Sequence, residues 1–367
     1  MTTDLILIEP ALPAVGELAQ LSERAKSFAR SAMAPSTVRA YGVKWLAWAD
    51  HCRQHGLTSL PADPVAVANW LSERAVTGKT SGRRARSTAQ GQALSTLRLA
   101  VAAIKAAHSS GGLGFDTGHP AITQVLRGIS RENAELASQA EPMRASLILA
   151  VIEALDPNCP IAARDAAALA LGYMFGRRRS ELVGLDLERL GSGEGKGDGI
   201  LKRDVQALEV VLLRHKTSDG SGTPKHFVAP RANNEVAVGV IERWLTLAQV
   251  RPGEPVLRRI HKGGRIGSER LSGTSISSIV KARVAQHFIA KNGVAPDFAV
   301  EQAFAYSGHS LRTGLAVTSA EAGADVRAIQ TILGHASPAM AIRYAAKADA
   351  MKTSVHNLPG VGLGRQK

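Results

Sequence analysis

Tyr306-Ser-Gly-His-Ser-Leu-Arg-Thr-Gly-Leu315 and Asp325-Val-Arg-Ala-Ile-Gln-Thr-Ile-Leu-Gly-His335 are the stretches from which the second half of this chain can be ordered. The first reads as a helix on which His309 and Arg312 lie one turn apart, with Leu311 and Leu315 on its buried side. In the second, Asp325 can cap a helix carrying Val326, Ile329, Ile332 and Leu333, and Gly334 can end it. Ser337-Pro338 then starts another helix, which carries Tyr344, and His335 falls in the break between the two.

Upstream, residues 147–190 read as two helices. The second runs from Ala162 to about Leu185 and contains Gly176-Arg-Arg-Arg-Ser-Glu-Leu182. Three arginines directly after an apolar stretch imply that at least one points into the domain. Arg178 and Glu181, three apart, share a helix face, where the carboxylate can hold the guanidinium. Leu208 to Leu213 and Phe227 to Ala229 read as strands. Turn chemistry at Asp219-Gly220 and Gly222 between them predicts a β-hairpin with Lys216 near its tip.

The first half is helical in pattern. Val38, Tyr41, Trp45, Trp48 and Cys52 form one helical face, with Ser36 or Thr37 as N-cap. A second helix opens at Asp63-Pro64. A third runs from near Ser87 through Leu94, Leu97, Val101 and Ile104 to Gly111-Gly112, and a fourth carries Ile122, Val125, Leu126 and Ile129. The loop Gly78-Lys-Thr-Ser-Gly-Arg-Arg-Ala-Arg-Ser-Thr88 places Arg83, Arg84 and Arg86 beside a helix start, a good arrangement for gripping phosphates; a solvated basic loop is the other reading.

A length of 367 residues implies two domains. We read a flexible N-terminus over 1–15, a helical domain over 16–135, a linker over 136–146, a second domain over 147–351 and a tail over 352–367. The 45 Lys and Arg outnumber the 31 Asp and Glu, and a net charge of +14 favours a polyanionic partner. No run approaches the roughly 18 apolar residues of a membrane span, and the N-terminus lacks a basic segment leading into an apolar one, so a cytoplasmic protein with no membrane partner is expected. Cys52 and Cys159 lie at no metal-ligand spacing. The chain contains neither a Gly-x-x-x-x-Gly-Lys-Ser/Thr loop nor a carboxylate cluster for two metals, so no cofactor and no metal are expected.

Singly, each polar residue has a plain structural reading: Arg178 an exposed ion pair, Lys216 a solubilising charge, Tyr344 a half-buried core phenol. Their order is more specific. Gly-Arg-Arg-Arg-Ser-Glu-Leu at 176–182, the hairpin Lys216, Gly-His-Ser-Leu-Arg at 308–312, and Leu-Gly-His at 333–335 with Tyr344 nine residues on resemble the tyrosine recombinase (phage integrase) family. Trp-Leu-Ala-Trp-Ala-Asp-His-Cys at 45–52, Pro-Ala-Asp-Pro at 61–64 and Leu-Arg-Gly-Ile-Ser-Arg-Glu at 126–132 resemble the core-binding domain of its Cre-like members. Thr313 departs from the second histidine that many members have there, and the family pattern selects Arg178 from the triple arginine.

The resemblance implies a mainly α fold with a small β-hairpin or sheet, arranged as a two-domain clamp of a helical-bundle core-binding domain and an α+β catalytic domain. It implies site-specific recombination through a 3′-phosphotyrosyl intermediate and a Holliday junction, independent of metal and ATP. Tyr344 would be the nucleophile, with Arg178, Lys216, His309, Arg312 and His335 catalytic and Glu181 supporting. Lys44, Arg83, Arg84, Arg86, Lys262 and Arg265 are candidate DNA contacts. The implied partner is double-stranded DNA with inverted-repeat sites, bound by a homotetramer that is monomeric when free, its tail docking on a neighbouring subunit. An inactive DNA-binding relative of the same fold and a tyrosine-dependent topoisomerase are the other readings.

Overall fold

The computed structural model describes residues 33–76, 91–132, 140–189, 197–213 and 223–334, with 338, 339 and 342. Lys216, Arg83, Arg84, Arg86, His335, Tyr344 and the tail lie outside the described residues. The chain divides into two compact units, Met1–Ala137 and Ser138–Lys367.

In the first unit four helices are described: α1 (Pro35–His55), α2 (Pro64–Val76), α3 (Leu94–Ser110) and α4 (Pro120–Glu132). The apolar stripe of α1 turns Trp45, Trp48 and Cys52 inward, where they meet Trp70 and Leu71 of α2 and Leu97 and Ile104 of α3. Trp48 and Trp70 pack edge to face at 5.4 Å, and the Trp48 indole N–H donates to the Ser59 carbonyl at 3.1 Å, so the ring buries its area without stranding its one donor. His108 is fully buried; Nδ1 lies 2.8 Å from the Ile104 carbonyl while Nε2 accepts the Ala62 N–H at 2.8 Å. Asp63 caps α2 by accepting the N–H groups of Val65 and Ala66. Two helix starts differ from expectation. α1 begins at Pro35 with Ala34 at the N-cap, so neither Ser36 nor Thr37 serves, because proline already fixes the first turn. α3 begins at Leu94 rather than near Ser87.

The second unit is built around α6 (Pro160–Phe175), which follows α5 (Ala145–Glu153). Most residues of α6 are buried, as befits a helix that is mainly apolar on every side. Its buried acid, Asp165, is neutralised by Arg164 at 2.6 Å and Arg283 at 2.8 Å. The single helix expected over Ala162–Leu185 is three elements. Gly176 stops α6 in the left-handed conformation (φ 58°), α7 (Arg179–Val183) is one short turn, and Leu185 already belongs to strand β1 (Leu185–Leu187). β1 pairs in parallel with β2 (Gly199–Arg203), which pairs antiparallel with β3 (Ala207–Leu212), and β3 with β4 (Lys225–Pro230). Leu212 faces Lys225 in register, so the connection bearing Lys216 leaves from the end of this ladder.

After α8 (Glu235–Leu247) come a two-stranded ribbon, β5 (Arg258–Ile260) and β6 (Ile266–Arg270), then α9 (Gly273–Asn292), α10 (Pro296–Ala303), α11 (Gly308–Glu321) and α12 (Val326–Leu333). Residues 140–144, within the stretch read as linker, are strapped to this unit. Glu141 and Met143 donate N–H groups to the carbonyls of Ala305 and Ser310, and Arg144 pairs with Glu321 at 2.9 Å. A Cβ on Gly314 would stand 1.9 Å from the Met143 carbonyl oxygen, so only glycine lets the strap reach α11. Among the described residues no helix is long and apolar enough to cross a membrane.

Candidate active site

The break after α6 creates the first half of the site. With Gly176 turned left-handed, Arg178 adopts an extended backbone (φ −66°, ψ 152°) at the N-cap of α7. Glu181, one turn on, points back. Its Oε2 accepts the Arg178 backbone N–H at 3.0 Å and its Oε1 accepts the guanidinium Nη1–H at 2.6 Å. The carboxylate is only 5% exposed and the Arg178 side chain 31%, so the acid is the enclosed anchor and the guanidinium the accessible member. Burial pushes the Glu181 carboxyl up, but the two hydrogen bonds from Arg178 and the charges of Arg178 and Arg177 outweigh it and leave the group below its ordinary value.

The second half is the start of α11. Ser307 caps it, accepting the His309 N–H at 3.2 Å, while Ser310 Oγ accepts the Ser307 N–H at 2.9 Å. Arg312 is 3% exposed and donates from Nη1 to the Gly176 carbonyl at 2.7 Å, which ties the two halves together. His309 lies at the solvent-reachable rim. Partial desolvation, then the charges of Arg312, Arg178 and Arg179, hold its pKa below the usual 6.5, so the ring is neutral at neutral pH. A neutral imidazole beside three guanidinium groups can accept a proton, and an arriving anion would raise its basicity.

Two arginines beside Arg178 complete the picture. Arg177 is 2% exposed. It donates to the carbonyls of Phe175 and Ile332 and lies 3.5 Å from the Phe227 ring centroid. Burial, partly offset by Glu181 and reinforced by Arg312 and Arg178, pushes it down to about 9, which leaves it cationic at neutral pH. Arg179 is exposed and donates to Ser277 Oγ at 3.0 Å. The triple arginine was the signal for both, and the inward residue it demanded is Arg177.

The structure thus brings together Arg178, Glu181, His309 and Arg312. Gly334, left-handed at φ 62°, ends α12 as expected, and Asp325 caps its start by accepting the Arg327 N–H at 3.2 Å. Lys262 and Arg265 are exposed on the turn between β5 and β6, away from this cluster in sequence. Lys44 belongs to the first unit, where it is half-buried and bonds Gln92 at 3.4 Å.

A helical domain with a small sheet holds two guanidinium groups and a neutral histidine at one corner, a set of donors and a proton acceptor suited to a phosphodiester. A family model described as the Phage integrase family matches residues 277–351. An integrase/recombinase xerD homolog of Selenomonas ruminantium is 26% identical over 345 residues, covering 92% of this chain and 89% of that protein. Tyrosine recombinase XerC of Escherichia coli is 31% identical over 186 residues, half of this chain and 48% of that one. Among solved structures, XerH bound to palindromic difH substrate in a post-cleavage complex aligns with a TM-score of 0.56 at 13% identity, covering 97% of this chain and 95% of that one. The Tn1549 transposon integrase bound to transposon right end DNA aligns at 0.51 and 13%, covering 90% and 97%. The chain belongs to the tyrosine recombinase, or phage integrase, family.

Proposed function

We propose that this recombinase cuts double-stranded DNA at inverted-repeat sites by attack of Tyr344 on the scissile phosphate, within a homotetramer assembled on two sites. The observation that carries the reading is the joining of Arg178 and Arg312 through Gly176, with His309 at the rim. Two forked donors beside a proton acceptor are what a pentavalent phosphorane demands. Arg178 and Arg312 neutralise the non-bridging oxygens and Glu181 holds Arg178 in its pose. His309 takes the phenol proton as the Tyr344 Oη–P bond forms. His335 donates a hydrogen bond to the phosphate, and Lys216 protonates the O5′ as the P–O5′ bond breaks. A 3′-phosphotyrosyl link and a free 5′-hydroxyl result. Attack by a 5′-hydroxyl from the other duplex reverses the chemistry and yields a Holliday junction.

Lys44, Arg83, Arg84, Arg86, Lys262 and Arg265 supply backbone and groove contacts outside the pocket, and a net charge of +14 supports a salt-sensitive grip. The domains are those read from the sequence, with the 352–367 tail docking in trans, and the working protein resides where the DNA is, on the nucleoid.

The test is covalent trapping on a nicked suicide duplex carrying a site selected from a random library. The unaltered chain should form an adduct that survives denaturation, and Tyr344→Phe should form none. No adduct from the unaltered chain would leave a DNA-binding protein without cleavage chemistry. Relaxation of supercoiled plasmid by a monomer would point to a topoisomerase.

A further inference from the structure

Arg177 is a buried cation, 2% exposed, that stands outside the proposed chemistry, yet it is held from four sides. Its Nε donates to the Phe175 carbonyl at 2.6 Å and its Nη2 to the Ile332 carbonyl. Phe175 is the last residue of α6 and Ile332 lies in the last turn of α12, so one guanidinium closes the negative ends of two helices. Its flat face lies 3.5 Å from the centroid of Phe227 on β4. Glu181 supplies the nearby anion, while Arg178 and Arg312 face it as like charges.

Each of these contacts sits at the root of a segment the cleavage reaction needs. Arg178 is the next residue along. Arg312 bonds the carbonyl of the preceding one, Gly176. β4 follows the connection that contains Lys216. α12 ends at Leu333, and the chain then runs through Gly334 to His335 and on to Tyr344. A leucine or methionine at 177 could fill this space, but it would leave the Ile332 and Phe175 carbonyls without this donor and sever the polar tie between α6 and α12.

We infer that Arg177 is a positioning residue for strand cleavage, latching the end of α12 and strand β4 to the Arg178 corner so that the phosphate clamp and the chain leading to the nucleophile share one frame. The inference rests on the recombinase reading. Arg177 does not contact DNA; it acts through the carbonyls of Phe175 and Ile332 and the ring of Phe227.

The experiment compares full-length unaltered protein with Arg177→Met and Arg177→Lys on the suicide duplex, reading DNA affinity, adduct rate at saturating DNA and thermal midpoint separately. Loss of the latch should leave affinity within a few-fold. Adduct formation by Arg177→Met at saturating DNA should slow roughly 100-fold, the scale on which an ångström of misplacement acts. A purely structural role would lower the midpoint while the folded fraction, held well below that temperature, cleaved at the parental rate, and that result would overturn the inference. If Arg177→Met does not fold, Arg177→Lys decides. Its ammonium keeps the charge but lacks the fork that reaches both carbonyls, so slowed cleavage at parental affinity supports the latch and parental cleavage refutes it. An adduct missing from the unaltered protein would instead sink the recombinase reading.

Discussion

Glu181→Gln tests the electrostatic design of the clamp directly. The carboxylate takes two hydrogen bonds from Arg178, at 3.0 and 2.6 Å, from a position only 5% exposed. Glutamine preserves the shape and can still offer its carbonyl to one donor, but it presents an NH2 group to the other. One charge-assisted bond is lost and one enclosed donor is left opposed, a cost of about 2–3 kcal/mol. In a unit of this size that lowers Tm by roughly 4–12 °C. Arg177 also loses the carboxylate that, among the described residues, raises its proton affinity. Because Arg178 is no longer braced, adduct formation at saturating DNA should fall about 10–100-fold, the usual scale for removing an orienting group.

The pH dependence gives a sharper check of the same pair. Burial raises the Glu181 carboxyl, yet the Arg178 bonds win and hold it below its ordinary 4.5. A depressed carboxylate contributes stability that is fully present above about pH 4.5 and lost as pH falls through the lower, folded-state value. Glutamine does not titrate, so the stability gap between the two proteins, followed by chemical denaturation, should close in that window. A gap that stays constant there, or equal stabilities at pH 7, would refute the assignment of Glu181 as the anchor of Arg178.

Two further outcomes follow from the site's geometry. Desolvation and three guanidinium groups depress His309 below 6.5, so as pH falls from 6.5 the unfolded chain takes up its proton first and stability declines until the folded value is reached. The adduct rate at subsaturating DNA should show an acid limb with its midpoint below 6.5, and His309→Gln should lose that limb and about 10²–10⁴-fold in rate; an unchanged limb would assign the proton acceptor elsewhere. Gly176→Ala places a Cβ 2.8 Å from Leu333 Cδ2 and 3.0 Å from Leu315 Cδ2 on a backbone at φ 58°. Strain and overpacking together cost about 3 kcal/mol, so calorimetry should show Tm lower by roughly 6–12 °C.

The parts of this structure that were legible in the sequence share one property, that their cause lies within a few residues. Asp325 and Gly334 bound α12 because a cap and a left-handed terminator act locally. β3 and β4 pair as neighbours in one ladder, and Glu181 reaches back to Arg178 across the first turn of α7, with Arg178 at the extended N-cap rather than on a shared helix face as expected. The errors have the opposite cause. α6 and β1 are buried nearly all round, so neither shows the periodicity that would separate helix from strand, and Gly176 was the one mark of the break between them. β1 spans 3 residues and β2 spans 5, too short to display a pattern, and they exist because β3 offers them a ladder.

The arginine triplet shows where this limit falls within the site itself. The triplet implied that at least one guanidinium turns inward and the family pattern selected Arg178 as the clamp residue, but what receives Arg177 is the Ile332 carbonyl 155 residues away and a ring on β4. The charge is buried where the ends of α6 and α12, the Phe227 ring and the nearby Glu181 converge on it, so weakening that convergence would leave a poorly compensated cation in a dry interior. That makes the corner rigid for a reason independent of its apolar packing. It also accounts for a clamp residue, Arg312, being nearly enclosed before any phosphate arrives: its carbonyl partner, Gly176, is fixed by the same convergence, so the donors are oriented in advance and reorganise little when charge develops between them.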